Sequence, residues 1–303
     1  MGWWWVPIVL FGALAQTARN AAQRSLVAQA GTLGATLVRF LYGIPFAAAL
    51  VLLLHAAPWT AAPVPRFGTG YFGWLMVGAL GQLAATAFLL AAMKQRNFVI
   101  GVAYSKTDAL QVALFGSLFL AELPGWVTLL AIALATGGVL LLSLPRKASL
   151  DGGARTWTSG AAGWGLACGA GFAISAVGYR GAALQLPGVA PWLIGAWGVL
   201  FAQAAQSLLL GGWLAARSPA SLRATVTAWR VSLLAGGCGA LASLCWFTAF
   251  ALTTAANVRT LGMVEVVFSY LVSHRLLREK LQLGEQVGLG LVVAGLLCLG
   301  LQL

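Results

Sequence analysis

Charged residues are scarce in this chain of 303 residues, and acidic residues and histidines especially so. Charged side chains make up 8% of the sequence, six residues are acidic and two are histidines, whereas 60% of residues are hydrophobic. A soluble domain of this length needs far more charge to cover its surface, so the composition excludes one. Apolar stretches of about 20 residues recur instead, and each is long enough to cross a bilayer as a helix. The sequence therefore predicts an all-α polytopic membrane protein.

The motifs of nucleotide binding and hydrolysis are missing as well. The sequence contains no Walker A motif, no G-x-S-x-G, no H-E-x-x-H and no G-x-G-x-x-G followed by its acid. Its four cysteines lie in apolar segments, and none has a metal-ligand spacing with a histidine. We therefore expect no enzymatic activity, no cofactor and no metal ion. The net charge of +12 does not predict nucleic-acid binding, because most basic residues lie in short loops that contact lipid headgroups.

The two halves of the chain carry their unusual residues at matching places. Asp108 in the first half corresponds to Glu265 in the second, 157 positions further on, and Glu122 corresponds to Glu279 at the same distance. Two halves of about five apolar segments each are typical of transporters built from an internal repeat. In such proteins the substrate site lies where the repeats meet, near the middle of the bilayer.

Ten transmembrane helices are predicted, five in each half of a single membrane domain (1–303). Their predicted bounds are Trp5–Val27, Leu33–Leu54, Tyr71–Ala92, Val99–Leu120, Trp126–Leu144, Ala161–Ala182, Pro191–Leu214, Val231–Leu252, Asn257–Leu277 and Glu285–Leu301. An odd number of helices per repeat makes the two five-helix repeats inverted relative to each other. The predicted parts are a first repeat at 1–146, a polar linker at 147–160 and a second repeat at 161–303.

Basic residues are concentrated in alternate loops, and this pattern predicts the orientation of the protein. The loops after helices three, five, seven and nine hold most of them, whereas the opposite side has little besides Arg66 and Arg180. Because positively charged loops remain in the cytoplasm, these four loops are predicted to be cytoplasmic and both termini to lie outside.

Ionisable residues at membrane depth are costly, so each is a candidate functional residue. In the fourth predicted helix, Tyr104, Asp108 and Gln111 share one face. Lys106 lies about 200° around the helix from Asp108, so the two cannot pair within it. Either these residues line a polar cavity, or they form interhelical ion pairs that only fix the packing.

The ninth predicted helix contains the matching charged residues, Arg259 and Glu265. Glu265 and Asp108 are acids at equivalent positions of the repeats, and a carboxyl group in a low-dielectric cavity binds a proton readily. Both are therefore candidates for proton coupling. The alternative is a neutralised pair, for example of Glu265 with Arg39 or Arg259.

Further candidates lie in other predicted helices. Asn20 belongs to a polar stripe of the first helix, which either faces a cavity or bonds a neighbouring helix. Arg39 lies well inside the second helix, where it serves a cavity or an interior ion pair. Trp164 and Tyr179 are aromatic residues that either wall a binding cavity or pack in the core. The stripe of the first helix consists of Gln16, Arg19, Asn20 and Gln23.

These motifs together resemble the drug/metabolite transporter superfamily, in its bacterial EamA-type branch of ten-helix carriers, over essentially the whole chain. The resemblance rests on three features, which are the arginine motif of the second helix, the acid–base motif at a helix end and the glycines in the final helix of each half. They are represented here by Val38-Arg39-Phe40, Glu279-Lys280 with Glu122 in the first half, Gly137-Gly138 and Gly295. The first half departs from the pattern, because Leu123 stands where a basic residue is usual.

The resemblance implies a carrier in the bacterial inner membrane that moves small polar organic solutes by alternating access. Amino acids, including aromatic ones, and related metabolites are the expected substrates, and export is the expected direction. Uptake or exchange of an organic anion, and a lipid-handling role, are the alternatives. The expected partners are the solute, the bilayer and a proton or counter-solute, and the protein is expected to be a monomer or a dimer.

A midplane cavity is expected to hold the solute through charged and polar side chains of both repeats. In this hypothesis basic residues bind a carboxylate or another anionic group, and acids face an amine or carry a proton. The basic residues are Arg39, Lys106 and Arg259, the acids are Asp108 and Glu265, and the other lining residues are Asn20, Tyr104, Gln111, Tyr179 and Trp164. The candidate buried bases, which also include Arg19, outnumber the two acids, and this excess favours solutes with an anionic group.

Overall fold

The computed structural model describes residues 2–56, 63–93, 104–142, 160–268 and 283–301. In these ranges every regular element is an α-helix, which confirms the prediction of an all-helical protein. Six of the described helices are long and apolar enough to cross a membrane, and two more are apolar but shorter. The chain is therefore a multi-pass membrane protein, while the total of ten transmembrane helices remains a prediction.

Eleven helices are described, and we number them in chain order. They are α1 (Trp5–Leu41), α2 (Ile44–Ala56), α3 (Thr69–Met93), α4 (Asp108–Leu120), α5 (Trp126–Leu142), α6 (Gly160–Leu184), α7 (Pro191–Arg217), α8 (Pro219–Thr227), α9 (Trp229–Leu252), α10 (Ala255–Gly262) and α11 (Leu283–Gly300). Most predicted helices coincide with one of these within a few residues. The predicted linker at 147–160 lies outside the described residues except for its last residue.

The beginning of the chain differs from the prediction, because α1 extends through the first predicted helix into the second. Gly31 interrupts its helical geometry with a φ of +68°. Glycine reaches this left-handed region without the steric cost that a side chain would impose. A second break follows at Tyr42 and Gly43, after which α2 begins. The second predicted helix is thus divided between α1 and α2.

Helix α8 was not expected, since the sequence predicted a basic loop after the seventh membrane helix. Pro219 stands at the first turn of α8, where its fixed φ favours helix initiation and its missing N–H costs nothing. The hydroxyl of Tyr42 donates a hydrogen bond of 3.1 Å to the backbone oxygen of Thr225, which links α8 to the end of α1. Thr225 is fully buried as a result.

The chain divides into two compact units, each built from both halves of the sequence. The first unit comprises Trp3–Leu80 and Gly178–Thr253, and the second comprises Gly81–Val177 and Thr254–Leu303. Helices α3 and α6 each contribute to both units, because the divisions fall within them. Residues that are far apart in sequence therefore meet inside each unit.

In the first unit α1 packs along α9 at close range. A methyl group added at Gly236 of α9 would lie 2.5 Å from the Cβ of Tyr42, and one at Gly12 of α1 would lie 2.7 Å from the Cβ of Cys245. Small residues let membrane helices approach until their backbones nearly touch. Leu26, Ala35, Val38 and Ala235 form a buried cluster between the same two helices.

In the second unit α5 and α11 pack through glycines that the repeat relates to each other. A methyl group at Gly138 of α5 would lie 2.5 Å from the backbone oxygen of Gly288 on α11. Reciprocally, one at Gly295 of α11 would lie 2.8 Å from the backbone oxygen of Ala131 on α5. The predicted repeat relates Gly138 to Gly295. The contact between α5 and α11 therefore contains both of these matching glycines.

Candidate functional site

An ion pair between Asp108 and Arg259 lies in the second unit. Asp108 is the first residue of α4 and is buried, and Arg259 lies near the end of α10. The Arg259 Nη2 donates to the Asp108 Oδ2 in a charge-assisted hydrogen bond. The carboxylate also benefits from its place at a helix N-terminus, where the backbone dipole favours negative charge. One charged residue of each repeat is therefore paired with one of the other.

Both helices of this pair are interrupted, at positions that the predicted repeat relates to each other. A turn at Lys106 and Thr107 precedes α4, and a turn at Met263 follows α10 before helix resumes over 264–268. These turns correspond under the same shift of 157 positions that relates Asp108 to Glu265. Interrupted membrane helices expose backbone polar groups, and for this reason they form the binding sites of many transporters.

Local hydrogen bonds stabilise the turn before α4. The Thr107 hydroxyl donates to the backbone oxygen of Tyr104 at 2.7 Å, and the Gln111 Nε2 donates to the Thr107 Oγ1 at 3.0 Å. Gln111 also reaches the backbone oxygen of Leu166 on α6 at 3.4 Å. Gly169 of α6 leaves room for this arrangement, since a methyl group there would lie 2.7 Å from the Gln111 Nε2. Gln111 thus joins α4 to α6.

The remaining predicted residues of the second unit differ in exposure. Glu265 is half-buried in the helical segment after the turn at Met263, close enough to Arg259 for their charges to interact. Lys106 is exposed in the turn, and Tyr104 is half-buried just before it. Trp164 is exposed and packs on Phe88 with 5.8 Å between ring centroids. Arg259 is therefore the centre of this charged cluster, with an acid from each repeat near it.

A second cluster of polar residues surrounds Arg39 in the first unit. The Arg39 guanidinium lies 4.4 Å from the ring centroid of Phe40. Its Nε and Nη2 atoms are buried and have no hydrogen-bond partner within the described ranges. Arg19 is buried nearby and donates from its Nη2 to the Oδ1 of Asn20 at 2.8 Å. Asn20 itself is exposed, so it serves here as a partner of Arg19.

Gly239 of α9 lies beside both arginines. A methyl group at Gly239 would lie 3.2 Å from the Arg19 Cδ and 3.6 Å from the Arg39 Cβ. The two guanidinium groups are near enough for their charges to repel. Two cations therefore share one interior region of the first unit.

Helix α7 adds a buried polar face that we did not predict from the sequence. Gln203 and Gln206 are 3% and 1% exposed, and Ser207 is buried beside them. The Gln206 Nε2 donates to the hydroxyl oxygen of Tyr179 at 3.2 Å and to the backbone oxygen of Ala79 at 3.3 Å. The spacing of these three residues in the sequence indicates such a face, because polar residues at i, i+3 and i+4 in an apolar helix point to the interior.

The polar stripe of the first predicted helix has a structural role at one of its positions. The Trp246 Nε1 of α9 donates to the Gln16 Oε1 at 3.0 Å, so this residue bonds a neighbouring helix. The side chain of Gln23 lies outside the described part of the structure, as do the side chains of Glu279 and Lys280. Among the described residues no cluster of His, Cys, Asp and Glu fits a metal ion.

The predicted site residues thus fall into two groups. Arg39, Asn20 and Tyr179 belong to the first unit, and the rest belong to the second. The rest are Tyr104, Lys106, Asp108, Gln111, Trp164, Arg259 and Glu265. A single cavity lined by all of them remains a prediction.

A cavity of about 650 Å³ lies in the first unit, and none of its lining residues is charged. Phe46 and Leu50 of α2, Val199 of α7 and Leu234 and Leu241 of α9 are among its lining residues, which are all apolar or glycine. Such a lining suits an acyl chain or another apolar group, and it offers no partner to a polar solute.

Comparison with known proteins finds a family match in the second half of the chain. Residues 160–301 match the model of the EamA-like transporter family. One solved structure, described only as a crystal structure of a protein, has 18% sequence identity and a TM-score of 0.71, and the match covers 100% of this chain and 98% of that chain. At this identity it shows the fold alone. No curated protein matches.

The match over residues 160–301 confirms the resemblance to the drug/metabolite transporter superfamily. Members of the matched family are transporters and not enzymes, so the match indicates a membrane transporter. A transporter of this family implies a small-molecule solute and membrane lipid as partners.

Proposed function

We propose that this EamA-like chain is a secondary carrier that exports a small polar organic solute across a bacterial inner membrane by alternating access. Amino acids, including aromatic ones, and related metabolites are the substrates we favour. The observation that carries the proposal is the Asp108–Arg259 pair between two interrupted helices. Charges inside a membrane-spanning bundle are costly, and carriers use them to bind polar solutes.

The ion pair supports a binding role, because well-packed apolar residues in its place would stabilise the protein about as well. Desolvation of two charges offsets most of their attraction in an interior, so well-packed apolar residues often stabilise a protein equally. A pair of this kind can open for a solute whose ammonium group replaces Arg259 at Asp108, while Arg259 turns toward Glu265. Lys106, exposed in the adjacent turn, supplies a further positive charge for an approaching anionic group.

A proton is the coupling ion that best fits the acids of this cluster. Asp108 and Glu265 both lie near the single Arg259 guanidinium, so movement of Arg259 toward one leaves the other to bind a proton. Asp108→Asn and Glu265→Gln variants should then carry out exchange but lose accumulation driven by a pH gradient. If accumulation of the solute by the wild type did not depend on the pH gradient, the result would instead support exchange with a counter-solute.

Two other functions are supported by particular observations. Arg19, which is buried, and Arg39, whose Nε and Nη2 atoms are buried, favour uptake or exchange of an organic anion. The apolar cavity of about 650 Å³ favours a lipid-handling role. Stabilisation of the protein by lipids alone would support the second of these.

The orientation we propose places the basic loops in the cytoplasm and both termini outside. Arg217 and Arg223 belong to one of those loops and are described, at the end of α7 and in α8. Cysteines introduced in this segment should be inaccessible to a membrane-impermeant maleimide in intact cells. Labelling there would reverse the proposed orientation.

A thermal-shift screen tests the carrier proposal first. The purified protein is compared with and without amino acids, organic anions, nucleosides and quaternary amines, because ligands of the native state raise its apparent stability. We expect one solute class to stabilise the wild type, and Lys106→Ala and Asp108→Asn to lose that stabilisation. Lys106→Ala and Arg39→Ala should also abolish transport while the protein still folds. Normal flux in these folded variants would contradict the assigned sites.

A further inference from the structure

We infer that Arg39 is a two-pronged binding site in the first unit for the carboxylate or phosphate group of the transported solute. Arg19 adds positive charge to this site, and Gln203 contacts a neighbouring donor group of the same solute. The inference rests on the proposed function, because it names the chemical group by which the carrier holds its substrate.

The unpaired atoms of Arg39 have the geometry that an oxyanion needs. Nε and Nη2 lie on one edge of the guanidinium plane, and their N–H bonds point in the same direction. This edge matches two oxygen atoms of a carboxylate or phosphate in a bidentate arrangement. Both nitrogens are buried, and no residue in the described ranges accepts a hydrogen bond from them. Buried donors are nearly always paired, so an unpaired parallel pair predicts a ligand with two acceptors.

No acidic residue of the first unit can neutralise Arg39. The segments Trp3–Leu80 and Gly178–Thr253 contain neither aspartate nor glutamate. All six acids of the chain lie elsewhere, at Asp108, Glu122, Asp151, Glu265, Glu279 and Glu285. The two arginines next to Gly239 therefore share one interior region in a unit without a carboxylate. A bound anion would remove the repulsion between them and the cost of an uncompensated buried charge.

Gln203 gives the site a second point of recognition. A methyl group added at Gly43 would lie 2.7 Å from the backbone oxygen of Arg39 and 2.5 Å from the Gln203 Oε1, so the glutamine amide lies beside the end of α1. The Oε1 atom is buried and has no hydrogen-bond partner in the described part of the chain. It can accept from an N–H or O–H group of the solute. An amino acid or a hydroxylated phosphate ester offers such a donor close to its oxyanion.

The charged cluster of the second unit is a poorer site for the same group. Arg259 already donates to Asp108 and has Glu265 near it, so an incoming anion must displace a carboxylate. At Arg39 the anion meets two cations and displaces no acid of the unit. The oxyanion is therefore assigned to Arg39.

The experiment compares solutes that differ in one charged group. L-phenylalanine is paired with L-phenylalaninamide, and glycerol 3-phosphate is paired with glycerol. Binding of each to purified full-length protein is measured by titration of its thermal stability. The test variant is Arg39→Lys, which keeps the positive charge but lacks the two parallel N–H donors of the guanidinium group. Arg217→Lys is the matched control, because Arg217 is an exposed arginine at the end of α7 in the same unit.

In one of the two pairs, we expect the wild type to bind the solute that has the carboxylate or phosphate group at least about tenfold more tightly than the solute that lacks it. The pair that responds distinguishes a carboxylate from a phosphate substrate. Arg39→Lys should lose this preference and Arg217→Lys should keep it. An Arg39→Lys protein with the wild-type preference, or a wild type without preference in either pair, would overturn the inference.

A second measurement keeps the inference testable if Arg39→Lys does not fold. In buffer without added oxyanion, Arg39→Met should raise the apparent Tm, because it removes a charge whose Nε and Nη2 atoms are buried in a unit that contains no acidic residue. A lower Tm would show that Arg39 is paired in the empty protein, and would overturn the inference. Failure of the proposed function has a different signature. Oxyanion binding would then persist in the wild type, and proteoliposomes would show no solute counterflow.

Discussion

Replacement of Arg259 by methionine should destabilise the second unit. The side chain keeps a similar length, but the Asp108 carboxylate loses its charged partner while it stays buried at the start of α4. A carboxylate in this position cannot gain enough water to compensate. The variant therefore tests whether the ion pair is formed in the native protein.

The magnitude follows from the exposure of the two partners. Removal of one member of a fully buried pair costs about 3–5 kcal/mol. The Asp108 side chain is 8% exposed and that of Arg259 is 27% exposed. Because Arg259 retains some contact with solvent, we expect the lower end of that range, about 3 kcal/mol in the free energy of unfolding.

SDS titration in mixed micelles, followed by the loss of helical ellipticity, measures this change. Asp108→Asn and the double variant complete a thermodynamic cycle. We expect the two substitutions together to cost about 2 kcal/mol less than the sum of the single changes, since both remove the same interaction. Arg217→Met is the control, and an exposed arginine should contribute within about 0.5 kcal/mol.

The reasoning would be refuted if Arg259→Met unfolded within about 0.5 kcal/mol of the wild type. Additive single and double variants would refute it as well, because they would show that Asp108 and Arg259 do not interact. Either result would remove the observation on which the proposed binding site depends.

Two further stability changes follow from the second unit. Gly138→Ala places a methyl group 2.5 Å from the backbone of α11, so overpacking should cost about 1–3 kcal/mol in the same titration. Gly290→Ala, with nothing within 4 Å, should be neutral or slightly stabilising, and equal effects would contradict the proposed packing. Thr128→Val removes the 3.2 Å hydrogen bond from the Thr128 hydroxyl to the Asn257 Oδ1 and should cost about 0.6–1 kcal/mol. A more stable Thr128→Val protein would contradict that bond.

The helical architecture could be predicted because hydrophobic length alone indicates a membrane helix. Its interruptions could not all be predicted. Gly31 is one glycine among 38 in the sequence, and nothing local distinguishes it as a residue with a positive φ. The turn at Lys106 and Thr107 contains neither glycine nor proline, so the usual sequence signals of a helix break are missing there. The repeat offset did relate this turn to the one at Met263, through the alignment of Asp108 with Glu265.

The charged residues of the site could be named from the sequence, but their partners could not. Asp108 and Arg259 are 151 positions apart, and only the pairing of α4 with α10 brings them together. The sequence predicts that Arg259 binds a substrate carboxylate, whereas in the structure Arg259 is paired with Asp108. The polar face of α7 contains no charged residue, so the cost of buried charge does not indicate it, although a buried amide also requires a partner. Arg39 was named, and its unpaired edge became visible only in three dimensions.

Counterflow in proteoliposomes tests the central claim most directly. Vesicles with the purified protein are loaded with an excess of the solute that stabilises it, and the uptake of a labelled trace of the same solute is followed over time. The carrier account predicts a transient overshoot in the wild type and in Arg217→Lys, and none in Arg39→Lys. Uptake that neither saturates nor overshoots would show a channel, and an overshoot of wild-type size in Arg39→Lys would contradict the role of Arg39.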